Sequence, residues 1–279
     1  MPSILRGSGK MKLAILSDIH TDINYDENDS IEKALVSNLK CISPELFIIA
    51  GDVSNNYLKT LDFLNRVQNE SGVKTLFVPG NHDLWNIENP DKNTDYIYDQ
   101  LKSFKGNICD KPYDIDSEWT VIGDVMWYDY SFAHNRFKFE DLETGKFAER
   151  NWKDKEYIDW GMRDVRVNEH FIDKIHSQID AKKDRKIIFV SHMLTHPYFT
   201  VKNNELWEYF NGYLGSDKPH KMFEKRINVK YSIMGHVHYR KEFFENGTKY
   251  ICSCLNYRTE WYNDNASDEI RTAINVIDI

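Results

Sequence analysis

Leu13-Ala14-Ile15-Leu16-Ser17-Asp18-Ile19-His20 is an apolar run that stops abruptly at residues able to bind a metal ion. The same event recurs four more times. Leu46-Phe47-Ile48-Ile49-Ala50 runs into Gly51-Asp52, and Leu76-Phe77-Val78 into Pro79-Gly80-Asn81-His82-Asp83. Ile187-Ile188-Phe189-Val190 runs into Ser191-His192, and Tyr231-Ser232-Ile233-Met234 into Gly235-His236-Val237-His238. Continuous apolar runs rich in Ile and Val read as strands buried on both faces. In open α/β sheets, ligands bind just beyond the carboxyl ends of such strands. The five ends are therefore expected to converge on one site. They bring Asp, His and Asn, which hold hard or borderline divalent metals.

Helical patterns separate the early runs. Asp29, with Glu32 three residues later, predicts a capping box that opens a helix carrying Ile31, Leu35 and Leu39 on one face. Residues 57–70 predict a second helix, with Leu58, Leu61, Phe63, Leu64 and Val67 mostly inward. Residues 165–180 predict a third, striped by Phe171, Ile172, Ile175 and Ile179. Further strands are expected near residues 120–127, 243–244, 250–255 and 274–277. The order is βαβα in the first half and richer in strands later, which predicts an α/β fold of two packed sheets flanked by helices. With 279 residues, no repeat and no linker, a single domain over residues 11–279 is expected. Residues 1–10 contain Gly-Ser-Gly and no pattern. They read as a tail or tag, with Met11 as the functional start.

Net charge is −8. An acidic chain is not built to grip long nucleic acid by bulk electrostatics, but it can bind a small phosphate compound where metal ions supply local positive charge. No apolar stretch approaches the ~18 residues of a membrane span, and no secretory h-region is visible, so a cytoplasmic protein without a membrane partner is expected. Cys41, Cys109, Cys252 and Cys254 form no Cys-x-x-Cys pair and read as buried free thiols.

Asp18 with His20, and His236 with His238, stand two apart. On extended chain both members of such a pair point to the same side. One pair alone is a weak signal; five strand-end motifs in one chain are a strong one.

Asp-x-His, Gly-Asp, Gly-Asn-His-Asp, Ser-His and Gly-His-x-His occur in that order from Asp18 to His238. In this the chain resembles the calcineurin-like metallophosphoesterases. The resemblance implies a four-layer αββα sandwich of two mixed β-sheets flanked by helices. It implies two divalent or trivalent metal ions, with Asp18, His20, Asp52 and His238 holding the first. Asn81, His192 and His236 would hold the second, and Asp52 would bridge both. Manganese, iron or zinc is expected before magnesium, because imidazole ligands favour them. Asp18 and Asp52 count −1 each against two divalent ions, which leaves a surplus near +2 for a phosphate group. Water shared by the metals would lose a proton near neutral pH and attack phosphorus. His82 resembles the family's catalytic histidine, protonating the leaving group or steadying the phosphoryl oxygens.

The chain departs from the protein Ser/Thr phosphatase branch. Where that branch has an Asp to orient its histidine, this chain has Asn55. Pro79 stands where the branch has an Arg, no Arg lies near Asp52, and Asp83 replaces Glu. His82, Asn55 and Asp83 are the candidate catalytic residues. A small, nucleotide-like phosphodiester or phosphomonoester is the expected substrate. A nuclease of the same superfamily would show a basic groove or an appended DNA-binding region, and the sequence shows neither. A silent protein-binding scaffold would have lost His82 or several ligands, and all are present.

Trp85, Trp127, Tyr128 and Tyr130 could stack a base, but packing is the favoured reading. His196 and Asn203 read as a solvated loop. Lys218, His220, Lys221, Lys225 and Arg226 read as an exposed helix face. Residues 131–163 break the βα alternation with seven aromatics, seven acidic and seven basic residues. Such a segment is expected to be either a lid at the site or a peripheral packing element. The metal ligands and His82 lie outside it, so the chemistry is expected to survive its shortening.

Overall fold

The computed structural model describes residues 10–279. The expected tail over residues 1–10 lies outside the described residues except for Lys10. From the N-terminus the chain runs β1 (Lys12–Leu16), α1 (Ile31–Ile42), β2 (Leu46–Ala50), α2 (Tyr57–Ser71) and β3 (Lys74–Val78). Next come α3 (Asn81–Leu84), α4 (Thr94–Leu101), β4 (Tyr113–Asp114) and β5 (Trp119–Asp124). Four short elements follow: α5 (Phe139–Glu143), β6 (Lys146–Phe147), β7 (Arg150–Asn151) and α6 (Asp154–Tyr157). The long α7 (Asp164–Ala181) leads to β8 (Lys186–Ser191), α8 (Glu205–Phe210), α9 (Lys218–Phe223) and β9 (Val229–Met234). The chain closes with β10 (Arg240–Glu245), β11 (Thr248–Ser253), α10 (Ala266–Ala273) and β12 (Asn275–Asp278).

Two main mixed sheets result, in order β12-β1-β2-β3 and β10-β11-β9-β8-β5-β4. The central strands are parallel, as their short apolar sequences require: Leu13 pairs with Leu46 and Leu46 with Lys74. In the second sheet β8 runs parallel to both β5 and β9. Antiparallel strands β12, β10 and β4 close the edges. Every residue of β2 is buried, as expected of a strand covered on both faces. Helices α1, α2 and α10 pack together beside the first sheet, and α7 packs on β5 of the second. One continuous core runs through the sheets, so the fold is the expected αββα sandwich. A parallel bridge between Ser17 and Cys254 ties the end of β1 to the end of β11. It brings the carboxyl ends of both sheets to one edge.

Several local expectations are corrected. The N-cap of α1 is Ser30, whose side chain accepts from Lys33 N, and not Asp29. Asp29 is drawn away by Arg258, which it meets at 2.7 Å, and by Ala266 N at 2.8 Å. Leu58, in the first turn of α2, is 55% exposed, because the buried face there is carried by Tyr57 and Thr60. Cys41 is exposed, whereas the other three thiols are buried and free. Lys221 and Lys225 are exposed as expected, but Lys218, His220 and Arg226 are half-buried. No helix among the described residues is long and apolar enough to cross a membrane.

Candidate metal centre and active site

Each candidate ligand lies in the first few residues beyond a strand. Asp18 and His20 follow β1, Asp52 follows β2, Asn81 opens α3 after β3, His192 follows β8, and His236 and His238 follow β9. Asp18, His20, Asp52, His236 and His238 have φ between +46° and +73°. Left-handed backbone is uncommon for residues with a Cβ and concentrates at functional sites. The two i,i+2 pairs therefore converge for a different reason from the one expected. Their side chains meet because the backbone turns sharply, not because an extended pleat aligns them. Gly51, at φ +85°, permits a close approach of the turns after β2 and β3. A Cβ there would lie 2.5 Å from Gly80 N and 2.6 Å from His192 Nδ1.

The turns bring together neighbouring groups of side chains that could hold metal ions, the candidate seats. Asp18, His20 and His238 bring ligand atoms within 4.8 Å of one another, and so do Asp52, His192 and His236. His20, Asp52 and His82 form a third such group that ties the first two together. His20 Nε2 lies 3.2 Å from His238 Nε2 and 3.9 Å from Asp52 Oδ2. His192 Nε2 lies 3.2 Å from Asp52 Oδ2 and 3.0 Å from Asn81 Oδ1. His236 Nε2 is buried and has no hydrogen-bond partner among the described residues. A buried nitrogen left so is costly, and a cation held by carboxylate, amide and imidazole donors relieves it. The residues present therefore fit divalent metal ions.

The charges respond to this crowding. Burial would lower His192, but the Asp52 carboxylate overrides it and pushes the imidazole up to about 10. Burial would raise Asp52, but His192 and His82 hold it well below the usual carboxylate range. His236 is pushed down to about 3, by burial and then by the nearby His192 cation. Burial and His82 likewise hold His20 well below the ordinary imidazole value.

A second layer of contacts fixes the ligand atoms. His192 Nδ1 donates to Ala50 O at 2.8 Å, which turns Nε2 toward the seat. His238 Nδ1 meets Glu260 at 2.7 Å. His82 Nδ1 lies 2.6 Å from Asn55 Oδ1, leaving Nε2 free of that contact, and Trp85 stacks on its ring at 3.7 Å between centroids. Asn81 Nδ2 donates to Asp154 Oδ1 at 2.8 Å, which points the amide oxygen at His192. Asp154 also accepts from Trp85 Nε1 and Trp152 Nε1, each at 2.8 Å.

Asp83 is fully buried and turned away from the cleft. Its carboxylate accepts from Asp52 N, Val53 N, Ser54 N, Gly80 N and Thr60 Oγ1 at 2.7–3.2 Å. It clamps the turns after β2 and β3 together. Burial, and then the charge of Asp52, push it up to about 7. The cleft holds about 420 Å³ and is lined by Asp52, Asn81, His82, His236 and His238 together with Arg150, Trp152 and Asp154. Residues 131–163 thus supply one wall. Trp127, Tyr128 and Tyr130 are core residues, as the packing reading expects. His196 is not on a solvated loop: it is buried and meets Glu245 at 3.0 Å, outside the cleft. Asn203 is exposed.

Asp154 and Glu260 are absent from the sequence reading, and Trp152 enters it only as one of the seven aromatics of residues 131–163. Each reaches the site through a long-range contact from a loop or short helix, where no apolar run marks it. The aromatic density of residues 131–163 is the one signal that points toward two of them.

The family model of the calcineurin-like phosphoesterases matches residues 11–240. The chain belongs to that family. Like other members it is a phosphoesterase-type hydrolase with residues placed to bind metal. An uncharacterized protein of Acanthamoeba polyphaga mimivirus is 25% identical over 277 residues, covering 91% of this chain and 94% of its own. Among solved structures, phosphopantetheinyl hydrolase from Mycobacterium tuberculosis shares the fold with a TM-score of 0.72. Its identity is 18%, over 96% of each chain. A dimetal phosphatase from Danio rerio matches with a TM-score of 0.52 at 12% identity, over 87% of this chain and 86% of its own.

Proposed function

We propose that this calcineurin-like phosphoesterase is a binuclear enzyme that hydrolyses a small, nucleotide-like phosphodiester or phosphomonoester. The observation that carries the reading is Asp52. Its carboxylate lies between His192 at 3.2 Å and His20 at 3.9 Å, one from each seat. Asp18, His20, Asp52 and His238 would hold one cation, and Asn81, His192, His236 and a shared Asp52 would hold the other. Bound there, manganese, iron or zinc supplies Lewis acidity toward the phosphoryl oxygens and activates the attacking water. His82 stands beside the seats, its Nε2 3.9 Å from Asp52 Oδ2. Asn55 accepts from Nδ1–H, which leaves Nε2 to face the leaving oxygen and to give it a proton as the ester bond breaks. An amide steadies the imidazolium less than a carboxylate would, which sets this site apart from the protein phosphatase branch. Asp83 and Asp154 act as positioning residues, one on the backbone of the turns and one on Asn81.

The test is a substrate panel with metal-stripped enzyme, to which manganese, iron or zinc is returned one at a time. It comprises p-nitrophenyl phosphate, bis-p-nitrophenyl phosphate, cyclic nucleotides, a phosphopantetheine ester and single-stranded DNA. Metal-dependent turnover of small esters, with little or none of DNA, is the expected result. Absence of turnover with every metal, or DNA as the best substrate, would overturn the reading.

A further inference from the structure

The cleft extends beyond the metal seats along an aromatic wall. Trp152 meets the ring of His236 edge-on at 5.8 Å and lies nearly parallel to Phe210 at 5.9 Å. Phe210 meets Trp207 edge-on at 6.4 Å. Val201 and Leu206 complete this apolar arm of the same cavity. A bare phosphate needs none of this surface. Partly exposed aromatic and aliphatic groups gathered inside a concave site gain stability when an organic group covers them.

Arg150, in β7, stands at the same cavity. It is the one arginine among the described residues that faces no carboxylate within 4.0 Å. Arg66, Arg136, Arg163, Arg166, Arg185, Arg226, Arg240, Arg258 and Arg271 all have such a partner. Its neighbour Lys153 also lines the cavity but is paired with Glu156 at 2.8 Å. The acidic groups of the cleft are engaged elsewhere, Glu260 by His238 and Asp154 by Asn81 and two indoles. In a chain of net charge −8, an uncommitted guanidinium at the rim of a substrate cleft is unusual. Its planar fork suits bidentate recognition of phosphate or carboxylate.

We propose that this arm of the cleft selects phosphoesters whose organic group is aromatic or apolar and carries a second anionic group, held by Arg150. The inference rests on the phosphoester reading of the metal seats and names its substrate class. The scissile phosphoryl group lies at the metal seats, the organic group covers Trp152 and Trp207, with the buried Phe210 backing them, and the second anion reaches Arg150.

Three phosphonates that resist hydrolysis test it by titration calorimetry on the manganese-loaded protein: methylphosphonate, benzylphosphonate and p-xylylenediphosphonate. Benzylphosphonate is expected to bind about tenfold tighter than methylphosphonate, and the diphosphonate about tenfold tighter again. Arg150→Gln should erase the second step and Trp207→Ala the first. Arg150→Lys, which keeps the charge and loses the fork, should retain part of the second step. Arg150 is exposed, so its substitution spares the core. Equal affinities for the three probes, or a second step that survives Arg150→Gln, would overturn the proposal. Absence of hydrolysis in the substrate panel with this ladder intact would count against the catalytic reading alone. Hydrolysis with a flat ladder would count against this inference alone.

Discussion

His82 and Asp154 act on the same few ångströms of the cleft in different ways. In the proposed mechanism His82 meets the reacting atoms, whereas Asp154 holds the amide of Asn81 so that its oxygen faces His192. His82→Ala is therefore expected to lower kcat by ~10²-fold or more on a substrate with a poor leaving group, with about two metals per chain retained by elemental analysis. An unchanged rate would remove His82 from the chemistry. Asp154→Ala should weaken binding of one of the two cations by ~10–100-fold, the usual scale for a group that orients a metal ligand. Asp154→Asn, which keeps one acceptor, should recover part of that loss. Calorimetric titration with manganese reads this separately from activity, and parent-like binding of both ions would contradict it. The candidate ligands and His82 were legible in the sequence because each ends or follows an apolar strand. Asp154 was not, because it contacts Asn81 across 73 residues and nothing local in its loop announces the contact.

At the scale of elements, the strands were easiest to foresee. Runs such as Leu46–Ala50 are too short and too uniformly apolar to satisfy anything but a doubly covered strand. The turns beyond them were foreseen as places but not as shapes. Extended geometry was expected at Asp18, His20, His236 and His238, whereas all four adopt positive φ. Tertiary hydrogen bonds such as His236 N to Asp18 Oδ1, at 2.9 Å, help hold that conformation, and no local propensity encodes them. The same lesson applies to Asp29, whose capping role yields to Arg258 from 229 residues away. Residues 131–163 show the largest consequence. The placement of Trp152 and Asp154 argues against the expectation that the chemistry survives shortening of this segment. Replacing residues 136–158 with a Gly-Ser linker is now expected to lower kcat/KM on a small aryl phosphodiester by more than tenfold and to reduce metal content toward one ion per chain. A folded variant with two ions and a rate within tenfold of the parent would show the segment to be a wall for substrate and nothing more.

The whole molecule gathers candidate ligands from the ends of five strands on two sheets, so their charge state before metal arrives belongs to the site as a unit. Without metal, Asp52 holds His192 protonated up to about pH 10. An imidazole must lose that proton before its nitrogen can ligate. Metal binding at pH 8 should therefore release at least about one proton per chain, and affinity should rise with pH by roughly tenfold per unit until His192 titrates. Calorimetry in two buffers of different ionisation enthalpy measures the release, and zero protons would contradict the Asp52–His192 pairing. The central claim is that two cations share Asp52 and that hydrolysis needs both. The direct measurement is to titrate metal-stripped protein with manganese, following bound metal and hydrolysis of bis-p-nitrophenyl phosphate together. The account predicts a rate that stays low through the first equivalent and levels off near two per chain, with Asp52→Asn abolishing the rise. Full activity without metal, or a plateau at one equivalent, would contradict it.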